Sequence, residues 1–343
     1  MPITPDSLPA TQRQIVYARR PVGIPTVDCF RLATVPVARP GAGQLLVRND
    51  VLSVDPYIRM RMEEKDSYAP VMAIGDVLVG RTVGQVIEGD AGGFSPGDWV
   101  VGRLGWQDFS VASPGELQHI DTAAAPATAY LGALGSTGIT AWVGLNAFGR
   151  PQAGETVLVS AASGAVGSVV GQLAKLHGCR AVGIAGGPAK CELVRSAYGF
   201  DDCVDYRAPD FADALRRALP QGVDVYFDNV GGEILDTVLP LCNNFARIPL
   251  CGLVSQYNAT EPYRLQNLRE VFNRRVTVRG FVLSDHKDLW PQATAGLAAA
   301  YAQGRLHYRE TIAEGLENAP RAFIDMLAGA NIGKQLVRLR PAA

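Results

Sequence analysis

The sequence is poor in the residues that build metal and disulfide sites. Of 343 residues, six are cysteine and four are histidine. Cys29, Cys179, Cys191, Cys203, Cys242 and Cys251 never fall at a CxxC spacing, and His119, His177, His286 and His307 stand singly. That scatter argues against a structural zinc cluster or a thioredoxin-type pair, and no metal is expected. Charge of one sign is lacking too. Basic residues number 32 and acidic ones 33, for a net charge of −1. No electrostatic footprint for nucleic acid or an anionic membrane is present. No apolar run reaches the length of about 18 residues that a membrane span needs. The opening MPITPDSLPATQRQ has no apolar core of signal-peptide kind. A cytoplasmic protein with reduced thiols is the expectation. What the chain does have is apolar: hydrophobic residues make up 48%, with 37 glycines and 22 prolines between them. That supplies cores for about two domains of roughly 150 residues each.

The character of the chain changes near residue 125. Before it, short alternating or apolar runs at 44–54, 76–88 and 98–112 are cut by PGAG, GDAGG and SPGD. Strands at this spacing, with no long amphipathic stretch between them, predict an all-β barrel or sandwich. After it, strands and helices alternate. Strands are expected at 156–161, 180–185, 203–205, 223–228, 246–251 and 276–283. Helices are expected at 165–177, 190–197, 211–219 and 233–241. Gly178 is placed to cap the first of them. Apolar strands alternating with helices predict an α/β fold with a parallel sheet covered on both faces. The tail from about Thr311 ends in a strand-like QLVRLR.

The strongest local motif is Ser160-Ala161-Ala162-Ser163-Gly164-Ala165-Val166-Gly167, which leaves a strand and opens a helix. Read as AxxGxxG, it puts Ala161 at the tight turn. Gly164 lets the backbone approach a pyrophosphate, and Gly167 lets helix and strand pack closely. The helix N-terminus then faces the phosphates with free N–H groups and the positive dipole end. The second strand selects the cofactor. NAD-binding units carry Asp or Glu at its end. Here the stretch is Ala185-Gly186-Gly187-Pro188-Ala189-Lys190, with no carboxylate and a following cation. Lys190 would attract a 2′-phosphate, so NADP(H) is predicted.

These motifs and several others give the chain a family resemblance. It resembles the zinc-independent medium-chain dehydrogenase/reductases, within them the leukotriene B4 12-hydroxydehydrogenase, prostaglandin reductase, 2-alkenal and curcumin reductase group. The segment LSVDPYIRMRM at 52–62 is similar to that group's LSxDPYMRxRM. GITA at 138–141, YFDNVGG at 226–232, CGLVSQYN at 251–258 and GANIGK at 329–334 also match. The resemblance implies a Rossmann doubly wound sheet inserted in a GroES-like β-barrel catalytic domain. The barrel would take residues 1–128 and 311–343 and the Rossmann domain 129–310, with the cofactor in the cleft between. It also implies cofactor contacts. Gly164, Ala165, Val166 and Gly167 would form the pyrophosphate turn, and Lys190 and Tyr206 the 2′-phosphate site. Asn229, Thr140, the loop Cys251, Gly252, Leu253, Val254, Ser255 and Tyr257, the backbone at Phe281, Val282 and Leu283, and Asn331 would complete the set. A homodimer through the last Rossmann strand is a family expectation. Three positions depart from the group: Gly187 where serine is common, Arg81 for a glycine of VGGT, and Met60 for the glycine of PYMRGRM.

The implied reaction is reduction of the C=C bond of a small α,β-unsaturated ketone or aldehyde, with hydride delivered to the β-carbon and a proton to the α-carbon. A hydrogen-bond donor at the carbonyl oxygen helps most, because charge develops there. Tyr257 is the first candidate, since a phenol is protonated at neutral pH. The cofactor's ribose hydroxyl could share the role. Tyr57 is a second candidate, as a pocket wall and orienting hydroxyl, and Tyr68 a weaker third. Each tyrosine could equally be a half-buried amphipathic side chain. The cysteines read as packing residues, and Asp228 as structural. Two other readings stay open: a quinone oxidoreductase, and a non-catalytic NADPH-binding protein.

Overall fold

The computed structural model describes residues 8–64 and 67–340. Residues 1–7 and 341–343, at the two ends of the expected barrel, lie outside that range. The chain divides into two compact units. One gathers the residues up to Leu131 and those from Glu310 onward; the other is Gly132–Arg309.

The first stretch runs β1 (Thr11–Tyr17), β2 (Phe30–Pro36), β3 (Leu45–Ser53), a single turn α1 (Tyr57–Met60), β4 (Thr82–Glu88), β5 (Trp99–Gly102), β6 (Phe109–Ala112) and β7 (Leu117–His119). The middle stretch runs α2 (Ser136–Val143), β8 (Thr156–Ser160), α3 (Gly167–Leu176), β9 (Arg180–Ala185), α4 (Pro188–Tyr198) and β10 (Asp202–Asp205). It continues through α5 (Phe211–Ala218), β11 (Val223–Phe227), α6 (Gly232–Val238), β12 (Cys242–Leu250), α7 (Arg269–Asn273), β13 (Thr277–Gly280) and α8 (Trp290–Ala302). The last stretch holds β14 (Glu310–Glu314), α9 (Ala319–Leu327) and β15 (Lys334–Arg338).

In the first unit one sheet has the order β14-β15-β3-β4-β5-β7, with β6 also on β3. All its pairs are antiparallel except β14 with β15. The QLVR stretch of the tail therefore returns to β3, pairing Leu336 with Ser53 and Arg338 with Val51. β1 and β2 form a separate antiparallel ribbon. The core between them holds Trp106 against Phe30 and Phe323, at ring centroid separations of 6.4 and 6.0 Å.

The second unit's sheet has the order β10-β9-β8-β11-β12-β13, every pair parallel. Counted within the unit this is 3-2-1-4-5-6, the Rossmann order. The strand TVLVS of β8 is buried along its whole length, as a central strand covered on both faces must be. Leu158, Val182, Ile184 and Tyr226 lead its core. Because the strands are parallel, all six carboxyl ends lie along one edge.

Some expected elements are shorter or divided. The run at 76–88 is a strand only from Thr82. The run at 98–112 is two strands, β5 and β6, separated by a turn in which Gly105 has φ +76°. The helix expected from residue 165 begins at Gly167. The run at 276–283 pairs only as Thr277–Gly280. No helix among the described residues is long and apolar enough to cross a membrane.

Candidate active site

The carboxyl edge of the parallel sheet carries nearly every residue expected at a nucleotide. After β8, Ala161 takes the left-handed conformation (φ +50°), which turns the chain sharply out of the strand. Gly164 donates its N–H back to the Ala161 carbonyl at 2.9 Å. Gly164, Ala165 and Val166 are partly exposed, between buried Ser163 and buried Gly167. At Gly167 a Cβ would lie 2.4 Å from the Ala161 oxygen, so only glycine lets α3 start this close to the strand. At the start of α3 the Ser168 N–H bonds to the Gly164 carbonyl and the Val169 and Val170 N–H groups to the Val166 carbonyl, which leaves the N–H groups of Ala165, Val166 and Gly167 for a ligand. The cradle fits a pyrophosphate.

After β9, Gly187 has φ +93° and donates its N–H to the Asp205 carboxylate at 2.7 Å. A serine at this φ would be strained. The same Asp205 oxygen accepts the Arg207 N–H at 2.9 Å, pinning the ends of β9 and β10 together. Tyr206 and Arg207 lie against Gly186, whose missing Cβ would sit 2.9 Å from the Tyr206 ring. The Arg207 guanidinium is 5.7 Å from that ring's centroid. Burial and then the nearby Arg207 hold the Lys190 ammonium below its ordinary pKa. Lys190, Tyr206 and Arg207 thus form a cationic corner that a phosphate dianion would suit. Arg207 was not foreseen from the sequence; the signal was a second cation directly after Tyr206.

After β11 the chain makes the turn Asp228-Asn229-Val230-Gly231-Gly232. Asp228 is fully buried. It accepts the Ser160 hydroxyl and the Tyr226 hydroxyl, each at 2.8 Å, and the N–H groups of Val230 and Gly231. Burial raises its pKa, and these donors oppose the rise. Asn229 donates its side-chain amide to the Ser160 carbonyl at 2.8 Å, tying β11 to β8.

The loop after β12 lies down on this turn. Cys251 N–H reaches the Asp228 carbonyl at 2.8 Å, Val254 N–H the Asn229 carbonyl at 3.3 Å, and the Ser255 hydroxyl the Val230 carbonyl at 2.7 Å. A Cβ on Gly231 or Gly232 would collide with Leu253 at 2.4 Å or Ser255 at 2.7 Å. The two glycines of YFDNVGG are therefore what admits the CGLVSQY loop. The loop curls so that the Leu253 N–H points at the Tyr257 hydroxyl, 3.5 Å away. Burial pushes the Cys251 thiol up to about 12, leaving it unreactive as a nucleophile. Beyond β13, Phe281 packs its ring on Phe148 and Phe227, at 5.1 and 6.2 Å between centroids. Phe281, Val282 and Leu283 thus lie just past the strand end. Thr140 is not at a strand end; it sits within α2, its hydroxyl donating to the Ser136 carbonyl at 2.8 Å.

Tyr57 and Asn331 belong to the first unit. Tyr57 opens α1, two residues after the buried Asp55. Lys334 of β15 reaches Asp55 at 2.6 Å and the Val54 carbonyl at 2.9 Å, and the Ser53 hydroxyl also bonds to Asp55. This anchors the segment that carries Tyr57. Burial first, then Asp55, push the Tyr57 phenol up to about 12, against the pull of Arg103, Arg61 and Arg81. Tyr68 lies exposed on the following loop. Asn331 donates to the Gly333 carbonyl at 2.9 Å, just ahead of β15. Among the described residues no group of three His, Cys, Asp or Glu side chains converges as metal ligands.

Comparison with known proteins agrees with this architecture. Residues 13–120 match the family model described as the N-terminal domain of oxidoreductase, and residues 165–299 the one described as zinc-binding dehydrogenase. The chain is 45% identical to the NADPH-dependent curcumin reductase of Escherichia coli, over 95% of this chain and 96% of that protein. It is 38% identical to the NADP(+)-dependent 2-alkenal reductase of Nicotiana tabacum, over 95% and 97%. The crystal structure of CurA in complex with NADPH from Vibrio vulnificus superposes with a TM-score of 0.92 at 44% identity, covering 96% of this chain and all of that one. The chain belongs to the zinc-independent medium-chain dehydrogenase/reductases, in the group of the curcumin, 2-alkenal and prostaglandin reductases.

Proposed function

We propose that the protein is an NADPH-dependent reductase of the C=C bond in α,β-unsaturated ketones and aldehydes. One observation carries the reading: the loop bearing Tyr257 is laced onto the Asp228–Gly232 turn, on the same sheet edge as the glycine turn and the cationic corner. NADPH, when bound, supplies hydride to the substrate's β-carbon. The turn at Gly164–Gly167 holds the pyrophosphate, and Lys190, Tyr206 and Arg207 hold the 2′-phosphate. Arg207 takes up the contact that serine makes where Gly187 stands. Asn229, Thr140, the loop Cys251–Ser255, the backbone at Phe281–Leu283 and Asn331 complete the cofactor contacts. Tyr257 donates a hydrogen bond to the carbonyl oxygen as negative charge gathers there. Tyr57, kept protonated by burial, is a pocket wall and orienting hydroxyl. The working place is the cytoplasm, where six free cysteines stay reduced.

The test is NADPH oxidation with an enone, a quinone and no acceptor, with product analysis. The reading expects a saturated ketone from the enone. Turnover of quinones alone would make the protein a quinone oxidoreductase, and no turnover at all a binding protein. Tyr257→Phe is expected to lower enone turnover by about 10²- to 10³-fold, the usual cost of one such donor. Unchanged turnover would remove Tyr257 from the role.

A homodimer joined edge to edge through β13 completes the proposal. All four β13 residues are exposed at the end of the sheet, and an open edge of this kind pairs readily with a second copy.

A further inference from the structure

The loop that carries Tyr257 is fastened on both sides of that residue. Ahead of it, the Ser255 hydroxyl bonds to the Val230 carbonyl at 2.7 Å. Behind it, the chain is tied to α6 by Asp236. This buried carboxylate accepts the N–H groups of Gln266 and Asn267, at 3.1 and 2.8 Å, and the Tyr263 hydroxyl at 3.1 Å. The Asp236 carbonyl takes the Asn267 side-chain amide at 3.0 Å. A buried carboxylate is costly unless its oxygens are satisfied, and these donors all come from the segment 263–267. That segment is therefore held firmly on the helix.

Gln256 joins the two fastenings. Its side-chain oxygen accepts the Tyr263 N–H at 2.9 Å, and its side-chain amide donates to the Ser255 hydroxyl at 3.1 Å. Its own N–H bonds to the Leu253 carbonyl at 2.8 Å, and its carbonyl accepts the Ala259 N–H at 3.1 Å. Gly232 makes room for it, since a Cβ there would lie 2.8 Å from the Gln256 amide nitrogen. One side chain thus closes the stretch from Ser255 to Tyr263 into a ring that contains Tyr257.

We propose that Gln256 is a positioning residue for Tyr257, anchored to α6 through Tyr263 and Asp236. This rests on the enone-reductase reading and on the part that Tyr257 plays in it. A donor stabilises a developing oxyanion only from the right place, because a hydrogen bond weakens steeply with distance and angle. A loop free to wander would lose its freedom on the way to the transition state, which raises the barrier. Gln256 removes that freedom beforehand.

Gln256→Ala, Tyr257→Phe and the double variant test this with NADPH and an enone. Gln256→Ala is expected to lower kcat about tenfold, with the KM for the enone and the Kd for NADPH within about twofold of the parent values. In the Tyr257→Phe background the same change should cost nothing further, since no hydroxyl is left to place. Gln256→Glu keeps an oxygen for the Tyr263 N–H and should return most of the lost kcat. An equal loss in both backgrounds would overturn the proposal, as would a Gln256→Ala enzyme with the parent's kcat. If Tyr257→Phe alone turns over like the parent, the role of Tyr257 fails and this proposal goes with it. If no enone is reduced by the parent, the enone reading itself fails.

Discussion

Lys190 and Arg207 crowd two positive charges into one corner of the sheet's carboxyl edge, and in the proposed function each lowers the cost of binding a dianion there. Lys190→Ala or Arg207→Ala is expected to raise the Kd for NADPH about tenfold, the cost of about 1.4 kcal/mol for a charge-assisted contact, with little effect on NADH. Fluorescence titration of the reduced cofactors measures both. The pH dependence has a definite sign. Burial and Arg207 depress the Lys190 pKa, so the ammonium is lost at a lower pH than in a free lysine. NADPH affinity should weaken on the alkaline side, and Arg207→Ala should move that limb to higher pH. Tyr57 behaves oppositely. Its phenol stays protonated until about 12, so no break in the pH–rate profile should trace to it across the neutral range. Arg207 shows where residue-level reading stopped. The lysine was legible because an acid was missing at a known place. The arginine needed the fold of Tyr206 against Gly186 to be seen.

At the scale of elements, tight joints decide what the site tolerates. Gly167→Ala drives a methyl to within 2.4 Å of the Ala161 oxygen, and that atom is backbone and cannot swing aside. A loss of about 1–3 kcal/mol is expected, with weaker cofactor binding, read by chemical denaturation and titration. Lys334→Met leaves buried Asp55 without its cation. Uncompensated buried charge costs about 3–5 kcal/mol, so the denaturation midpoint should fall well below that of the parent. The parallel strands were legible because each is a continuous apolar run between helices. The ribbon of β1 and β2 was not, because TQRQIVY begins with four polar residues and only its last three are a buried apolar run. Of those four, Gln12 is buried with its side chain accepting the Phe109 N–H. The single stretch at 98–112 hid two strands because Trp106 is a core residue inside the turn between them. β13 ends at Gly280 although the apolar run continues, since Phe281 leaves the ladder to pack on Phe148.

Across the whole molecule, the Rossmann order could be anticipated from the alternation of strand and helix, whereas the register that sets Thr82 of β4 beside Gly102 of β5 could not. Sequence pattern fixes the period of a strand, but pairing across strands far apart in the chain is settled by the assembled sheet. The same scale governs association. Sedimentation is expected to show a dimer, and Val278→Asp, which puts a buried charge into an edge-to-edge joint, is expected to give monomers. A parent protein that sediments as a monomer would dispose of the proposed joint.

The lysine that steadies the Tyr57 segment lies 279 residues further along the chain. Ribosomes add about 5–20 residues per second, so Asp55 waits about 15–55 s for its counter-ion to be made. During that interval β3 lacks the neighbour β15 that covers one of its edges. The intervening Gly132–Arg309 unit, by contrast, has every strand of its sheet in one continuous stretch. Birth order is thus reversed between the halves: the part made first is finished last, and until then it is the part that a chaperone would find open.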